Sequence, residues 1–254
     1  MTDMPDDVAE QRRGFGFRMM RPPMPAWRLT VVEGALTTPR TMSVSFAGAA
    51  LDDLAWNAGQ DLVLNLPQPN GEAARRHYTI RDLKAGRLVI DFVLHGDSPA
   101  TRWARGANAG DALDVQGPRG RTRLATNADK HLFVGDETCL PAIFAMIERM
   151  PAGAEAHALI EVADEAEVQP VATNADVKID WVFRGHAHPG PSDLLLGRLK
   201  ALAPSPAGVH AYTIGETSNV RAQRHYLQER GFAREQMTAE GYWRPGRIGG
   251  HDHV

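Results

Sequence analysis

The chain has 254 residues, a net charge of −3 and 43% hydrophobic residues, which is an ordinary balance for a globular protein of one large or two small domains. The lack of a basic excess argues against a nucleic-acid partner, and no apolar run is long enough to span a bilayer. Cys139 is the only cysteine, so an intramolecular disulfide is impossible and neither a cysteine-based zinc site nor an iron–sulfur site is expected. Any redox chemistry must therefore come from a bound cofactor.

The N-terminal half of the chain has the pattern of a β-barrel. Residues 1–20 are expected to be a disordered lead, and their acidic start lacks the features of a signal peptide, which favours a cytoplasmic location. Short stretches rich in Thr, Val, Ile and aromatic residues then alternate with Gly, Asn, Asp and Pro turns. They predict a six-stranded antiparallel barrel in a domain at 21–127. The predicted strands are 27–32, 41–46, 62–66, 76–80, 88–94 and 112–116.

The pattern changes in the segment 124–130, where strands begin to alternate with helices. This alternation predicts a parallel sheet with helices on its faces, in an α/β domain at 128–254. The predicted strands are 131–135, 156–162, 178–183 and 209–214, and the predicted helices are 141–150, 192–202 and 218–230. The expected fold class is therefore an N-terminal antiparallel six-stranded β-barrel followed by a C-terminal α/β domain.

One barrel strand carries side chains suited to a flavin. Arg76 and Tyr78 are two residues apart, so they share a face of the strand. An aromatic ring can pack on an isoalloxazine, an arginine can pair with a pyrophosphate, and the Thr79 hydroxyl can bond the reactive edge of the ring. A barrel strand with a surface Arg–Tyr pair explains the same residues at least as well.

A second motif follows the strand at 88–94. Ser98 is a good helix N-cap and Pro99 suits the first helical position. The N–H groups of Ala100 and Thr101 would then offer an anion site at the start of a helix, with His95 close to a phosphate or an adenine. The alternative is a capped surface helix without a ligand. The two motifs in this order are more specific than either alone.

The ordered motifs resemble the siderophore-interacting protein family, whose members are flavin-dependent ferric-siderophore reductases of the ferredoxin-reductase-like superfamily. The matching segments are Arg-x-Tyr-Thr-x-Arg at 76–81, Asp-Phe-Val-Leu-His-Gly at 91–96, Thr-Arg-Trp-Ala at 101–104, Gly-Pro-Arg-Gly at 117–120, and 135–143, 215–221 and 241–244. The resemblance implies FAD in the barrel, NADPH, NADH or ferredoxin as electron donor, and Fe(III) in a siderophore as acceptor.

The resemblance also implies which residues hold the flavin. Trp243 could cover the second face of the flavin, or it could be a core aromatic residue that closes the last strand. The implied cofactor-binding residues are Arg76, Tyr78, Thr79, Asp91, Val93, His95, Ala100, Thr101, Asp136, Thr138 and Trp243. In the turn at 135–138, which the superfamily places against the flavin, we expect Thr138 to cap the helix that starts near residue 140.

The sequence gives only partial information about the electron-donor and acceptor sites. Asp164 and Glu165 follow the second α/β strand and favour the ribose diol of NADH, whereas Arg184, His186 and His188 follow the third and favour the 2′-phosphate of NADPH. The sequence does not decide between NADH and NADPH as the electron donor.

The acceptor is often anionic, so a basic rim near the flavin would help to capture it. The candidates are Arg105, Arg119, Arg244 and Arg247, each of which is otherwise a solvated surface arginine. We expect a monomeric reductase. The alternatives are a reductase of this fold for free flavin, quinone or ferredoxin, and a siderophore-binding module without turnover.

Overall fold

A computed structural model describes residues 26–247 and the backbone of residues 252 and 253, so the expected disordered lead at 1–20 lies outside the described residues. The N-terminal part is one antiparallel sheet of seven strands in the order β4-β3-β7-β1-β2-β6-β5. Its strands are β1 (Ala26–Thr38), β2 (Thr41–Ala47), β3 (Asp61–Pro67), β4 (Ala73–Thr79), β5 (Asp82–Lys84), β6 (Arg87–Val93) and β7 (Ala112–Arg119). The six predicted strands are confirmed, and the three-residue β5 was missed.

The barrel closes by bringing β4 towards β6. Leu88, Ile90 and Phe92 alternate along β6 and are fully buried, as the strand period of two requires. The ring of Tyr78 on β4 packs on Phe92, with 4.4 Å between centroids. The strand with the first motif therefore lies against the strand that leads to the second.

The capped helix predicted after β6 is confirmed as α1 (Pro99–Gly106). The Ser98 side chain accepts a hydrogen bond of 3.1 Å from the Thr101 N–H, and Pro99 is the first helical residue. The cap fixes the start of α1 next to the end of β6.

The C-terminal part is a sheet in the order β10-β9-β8-β11-β12-β13, in which only the last strand is antiparallel to its neighbour. Its strands are β8 (Lys130–Asp136), β9 (Glu155–Val162), β10 (Asp176–Phe183), β11 (Val209–Glu216), β12 (Met237–Trp243) and β13 (Asp252–His253). The predicted parallel sheet is confirmed, while β12 was not among the predicted strands.

Three helices cover this sheet, as predicted. They are α2 (Leu140–Ile147), α3 (Leu194–Leu202) and α4 (Thr217–Glu229), with single 3₁₀ turns at Glu165–Glu167 and Arg234–Gln236. The apolar residues of α2 pack in one buried cluster with one face of the sheet, and those of α3 and α4 pack in another. None of the helices in the described ranges is long and apolar enough to cross a membrane.

Polar contacts join the two parts. Arg81, just after β4, makes two hydrogen bonds of 2.6 Å to Glu148 at the end of α2. The Thr122 hydroxyl donates to Glu240 on β12, and the Thr38 hydroxyl donates to Glu167 at 2.6 Å. These contacts join the barrel to the end of α2, to β12 and to the turn after β9.

Candidate functional site

A cleft of about 520 Å³ lies between the barrel and the carboxyl end of the α/β sheet. This main cleft has a volume typical of cofactor sites. Eight of the predicted cofactor residues line it, and they come from both parts of the chain. They are Arg76, Tyr78, Thr79, Asp91, Val93, His95, Thr138 and Trp243.

Strand β4 forms one wall of the main cleft. The Arg76 guanidinium donates to the backbone carbonyl of Arg75 at 2.9 Å, and no carboxylate of the described residues pairs with it. Tyr78 lies beside it, and burial raises the pKa of its hydroxyl, so the phenol is neutral at pH 7. The wall therefore presents a flat ring and a cation without a carboxylate partner.

The neighbouring strand β6 contributes Asp91 and Val93. Burial raises the pKa of Asp91, while a hydrogen bond from Ser43 and the charge of Arg81 act in the opposite direction. The Arg81 Nε lies 3.6 Å from the Asp91 carboxylate. Asp91 is therefore part of the wall that also anchors Arg81.

The loop before α1 forms the end of the cleft, where Ser98 and Pro99 line it. Ala100 and Thr101 are buried in the first turn of the helix, and their side chains do not line the cleft. The Thr101 N–H is already bonded to the Ser98 hydroxyl oxygen. Desolvation lowers the pKa of His95, with Glu137 opposing, so its imidazole is neutral at pH 7.

The Asp136 carboxylate accepts hydrogen bonds from residues of the cleft wall that belongs to the α/β part. One carboxylate oxygen accepts hydrogen bonds from the Trp243 indole N–H at 3.1 Å and from the Glu216 N–H at 2.8 Å. The other accepts from the Thr138 N–H at 2.9 Å and from the Thr138 hydroxyl. Asp136 is 6% exposed and does not line the cleft, so its contact with the site runs through Trp243 and Thr138.

The prediction that Thr138 caps α2 is wrong. Its hydroxyl donates to Asp136, and the N-cap residue of α2 is Cys139, which makes no side-chain capping bond. The carboxylate two residues back competes for the hydroxyl. Gly215, at φ +132°, makes room for this arrangement, because a Cβ there would lie 2.5 Å from the Asp136 carboxylate.

Tyr242 was not among the predicted site residues, although the Tyr-Trp pair near the end of the chain is visible in the sequence. It lines the main cleft, and its hydroxyl hydrogen-bonds the Thr79 side chain. Burial and nearby Glu240 raise its pKa well above the ordinary value, so it stays protonated. This bond ties β12 to the strand that carries the first motif.

The four predicted rim arginines divide into two groups. Arg244 and Arg247 are exposed and line the main cleft beside Trp243. Arg105 lies at the exposed end of α1, and Arg119 directs its Nε to the buried Asp61 carboxylate at 3.5 Å. Neither of these lines the cleft, so the structure brings two of the four to the predicted site.

A second cleft of about 360 Å³ lies at the carboxyl ends of β9 and β10 and shares Val93 and His95 with the main cleft. Arg184 lies inside it and donates two hydrogen bonds to the Glu137 carboxylate, one of them 2.6 Å long. Glu161 lies 3.6 Å from the same guanidinium. Desolvation raises the pKa of both carboxyls, and Arg184 opposes the rise.

Arg40 reaches the second cleft from the barrel. Its guanidinium donates to Asp164 at 2.9 Å and to Glu167 at 3.2 Å. Both arginines of this cleft are thus paired with carboxylates.

Comparison with known proteins places the chain in a family. Residues 128–246 match the family model for siderophore-interacting proteins, and residues 64–122 match that of the siderophore-interacting FAD-binding domain. The ferric vibriobactin reductase ViuB of Vibrio cholerae is 33% identical over 186 residues, which cover 70% of this chain and 68% of that protein. The chain belongs to the siderophore-interacting protein family.

Two further proteins resemble the chain. The ferric acinetobactin reductase of Acinetobacter baumannii is 28% identical over 190 residues, covering 73% of this chain and 65% of that protein. The crystal structure of a siderophore utilization protein from T. fusca superposes with a TM-score of 0.81 at 35% identity, covering 89% of this chain and 95% of that one. A ferredoxin–NADP⁺ reductase from Neisseria gonorrhoeae shares the fold with a TM-score of 0.64 at 14% identity, covering 86% of this chain and 99% of that one, which supports the ferredoxin-reductase-like fold class.

In this siderophore-interacting protein the lone cysteine is a packing residue. Cys139 is fully buried, its sulfur lies 3.0 Å from the Asp136 carbonyl oxygen, and burial raises its pKa well above the ordinary value. We expect Cys139→Ser to keep its flavin content and turnover within about twofold, since a hydroxyl can donate to the same carbonyl. Absorbance of the bound flavin and steady-state rates would check this, and loss of turnover with flavin still bound would contradict it.

Proposed function

We propose that this protein is an FAD-dependent ferric-siderophore reductase, which takes electrons from a nicotinamide nucleotide and releases iron as Fe(II) in the cytoplasm as a monomer. The observation that carries the proposal is the main cleft, which is lined by Arg76, Tyr78, Thr79 and Trp243 together. The printed activities of the vibriobactin and acinetobactin reductases support the same acceptor class.

The cleft residues fit FAD. Arg76 faces the cleft without a carboxylate partner among the described residues, and such a cation suits a pyrophosphate. The Tyr78 ring would lie against the isoalloxazine and the Thr79 hydroxyl at its edge. The Ala100 N–H at the start of α1 would support a phosphate, since Pro99 has no N–H and the Thr101 N–H is bonded to Ser98.

FAD held by these residues would supply the chemistry that links a two-electron hydride donor to one-electron iron. The residues of the chain need to position the partners and keep water from the ring. Trp243, held by Asp136, would cover one side of the cleft, and the exposed Arg244 and Arg247 would attract an anionic ferric chelate. Fe(II) binds hard oxygen ligands more weakly than Fe(III), so reduction favours release of the iron.

The direct test is anaerobic turnover. Purified protein with a flavin spectrum is mixed with NADH or NADPH and a ferric tris-catecholate or tris-hydroxamate, and Fe(II) is trapped with a coloured chelator. Formation of the Fe(II) complex at a rate proportional to enzyme supports the proposal. The absence of Fe(II) with either nucleotide and with reduced ferredoxin, while flavin is bound, would refute it.

The rim arginines give a sharper prediction about the acceptor. The double variant Arg244→Ala/Arg247→Ala should raise the KM for an anionic ferric chelate by about tenfold and weaken its dependence on salt, because two positive charges leave the cleft. Steady-state rates at several ionic strengths would measure both effects.

Arg105→Ala is the matched control, since it removes an exposed arginine that does not line the cleft. The KM of this variant for the ferric chelate should stay within about twofold of the parent value. An equal rise in both variants would place the acceptor elsewhere.

A further inference from the structure

We infer that the second cleft binds the adenosine ribose of the electron donor and selects NADH over NADPH. The inference rests on the proposed function, since it takes the donor to be a nicotinamide nucleotide. It concerns a different place from the flavin site, and it assigns to that place a ligand group: a ribose diol without a 2′-phosphate.

The location of the second cleft suits a dinucleotide. It lies at the carboxyl ends of β9 and β10, where Ala163 and Gly185 line it, and such strand ends are the usual ligand edge of a parallel sheet. Val93 and His95 line both clefts, so the two are adjacent. A nucleotide whose nicotinamide enters the main cleft can therefore place its second nucleoside in the second.

The arginines of the second cleft are not available to a phosphate. Arg184 has a side chain only 6% exposed and is held between Glu137 and Glu161. Binding a phosphate there would require breaking a buried two-bond ion pair and leaving a carboxylate desolvated, which is costly.

Arg40 is bound in the same way by Asp164 and Glu167. The two guanidiniums are thus paired with four carboxylates. Among the described residues that line the cleft, the other basic side chains are the imidazoles of His95 and His186. A 2′-phosphate would bring close to two further negative charges into this surplus of acid.

A ribose diol meets the opposite conditions. Its hydroxyls need acceptors, and carboxylates at the carboxyl end of a strand serve this purpose in dinucleotide sites. Glu137 and Glu167 line the second cleft and can accept further hydrogen bonds through their remaining lone pairs. The charge balance that rejects the phosphate therefore favours the unphosphorylated ribose.

Binding and flavin reduction test the inference without any iron. The oxidised holoprotein is titrated calorimetrically with NAD⁺, NADP⁺, ADP-ribose and its 2′-phosphate, and anaerobic flavin bleaching is followed with NADH and NADPH. We expect the unphosphorylated form to bind at least about tenfold more tightly and to bleach the flavin faster. Equal or tighter binding of the phosphorylated forms, or binding of neither, would overturn the inference. Failure of ferric reduction alone would instead count against the proposed function.

A charge variant adds a second test. Asp164→Asn removes one acidic partner of the half-exposed Arg40, so we expect NADP⁺ affinity to rise about three- to tenfold while NAD⁺ affinity stays nearly constant. Asp114→Asn is the matched control, because it breaks an exposed Asp–Arg pair with Arg28 that does not line the cleft. If Asp164→Asn instead releases FAD and leaves nucleotide choice unchanged, the second cleft holds the adenosine of the flavin and the inference fails.

Discussion

Arg76→Ala should yield a folded protein that has lost most of its flavin. The guanidinium lines the main cleft without a carboxylate partner among the described residues, so its removal leaves no unpaired carboxylate behind and costs the fold little. A charge-assisted bidentate pair with a pyrophosphate is worth about 2–4 kcal/mol, which corresponds to an increase of about 30- to 1,000-fold in the Kd for FAD. Flavin content after gel filtration and a titration of the apoprotein with FAD would measure the loss.

Arg75→Ala is the matched control on the same strand. Arg75 is exposed, donates to Gln116 at 2.9 Å and does not line the cleft. Its variant should retain flavin like the parent protein. Full flavin occupancy in Arg76→Ala would contradict the assignment of this arginine, and equal loss in both variants would point to a general weakening of β4.

At neutral pH, Arg184→Met should lower the free energy of unfolding more than any other single substitution proposed for this protein. It leaves Glu137 and Glu161 poorly solvated without their cation, and breaking a buried pair in this way costs about 3–5 kcal/mol. Adding Glu137→Gln should recover part of the loss, because one of the two stranded charges is removed. Urea unfolding of the three proteins would measure the free energies of unfolding.

The same variant should be more sensitive to pH than the parent. Desolvation raises the pKa of Glu137 and Glu161 above the ordinary 4.5, so the folded protein binds protons at these carboxyls more tightly than the unfolded chain. Their contribution is most favourable below pH 4.5 and is lost as the pH rises through the folded pKa values. Without Arg184 these pKa values rise further, so stability should fall more steeply as the pH rises above the ordinary value of 4.5.

Arg28→Met provides the control for both measurements. Its pair with Asp114 is exposed on both sides, so the change should alter the free energy of unfolding by at most about 0.5 kcal/mol, with no new dependence on pH. A similar small effect for Arg184→Met would show that water reaches Glu137 and Glu161.

The sequence predicts the parts of this fold that local patterns determine. The helix cap at Ser98 is set by neighbouring residues, and the barrel strands by alternation over several positions. Strand β5 has three half-buried or exposed residues, too few to show a period, and β12 consists mostly of half-buried residues. Neither produces a signal that is distinct from a loop.

The candidate site was predictable in position but not in its pairings. The residues of one short segment, such as Arg76 and Tyr78, are brought to the cleft together because they share a strand face. Arg184 lies 47 positions from Glu137, and Trp243 lies 107 positions from Asp136. Such pairs depend on the packing of the two sheets, which no local pattern encodes. The sequence therefore leaves the donor choice open, and the proposed preference for NADH rests on the partners of Arg184.

The contacts across the two halves of the chain also bear on how such proteins can be recombined. Arg81 with Glu148 and Thr122 with Glu240 each join a residue of the barrel to one of the α/β sheet. A chimera that grafts the C-terminal half of a relative onto this barrel must bring acids to the positions of Glu148 and Glu240. Without these acids Arg81 and Thr122 would lose their hydrogen-bond partners in the α/β part. The main cleft, which neither half forms alone, would then no longer keep its two walls in place.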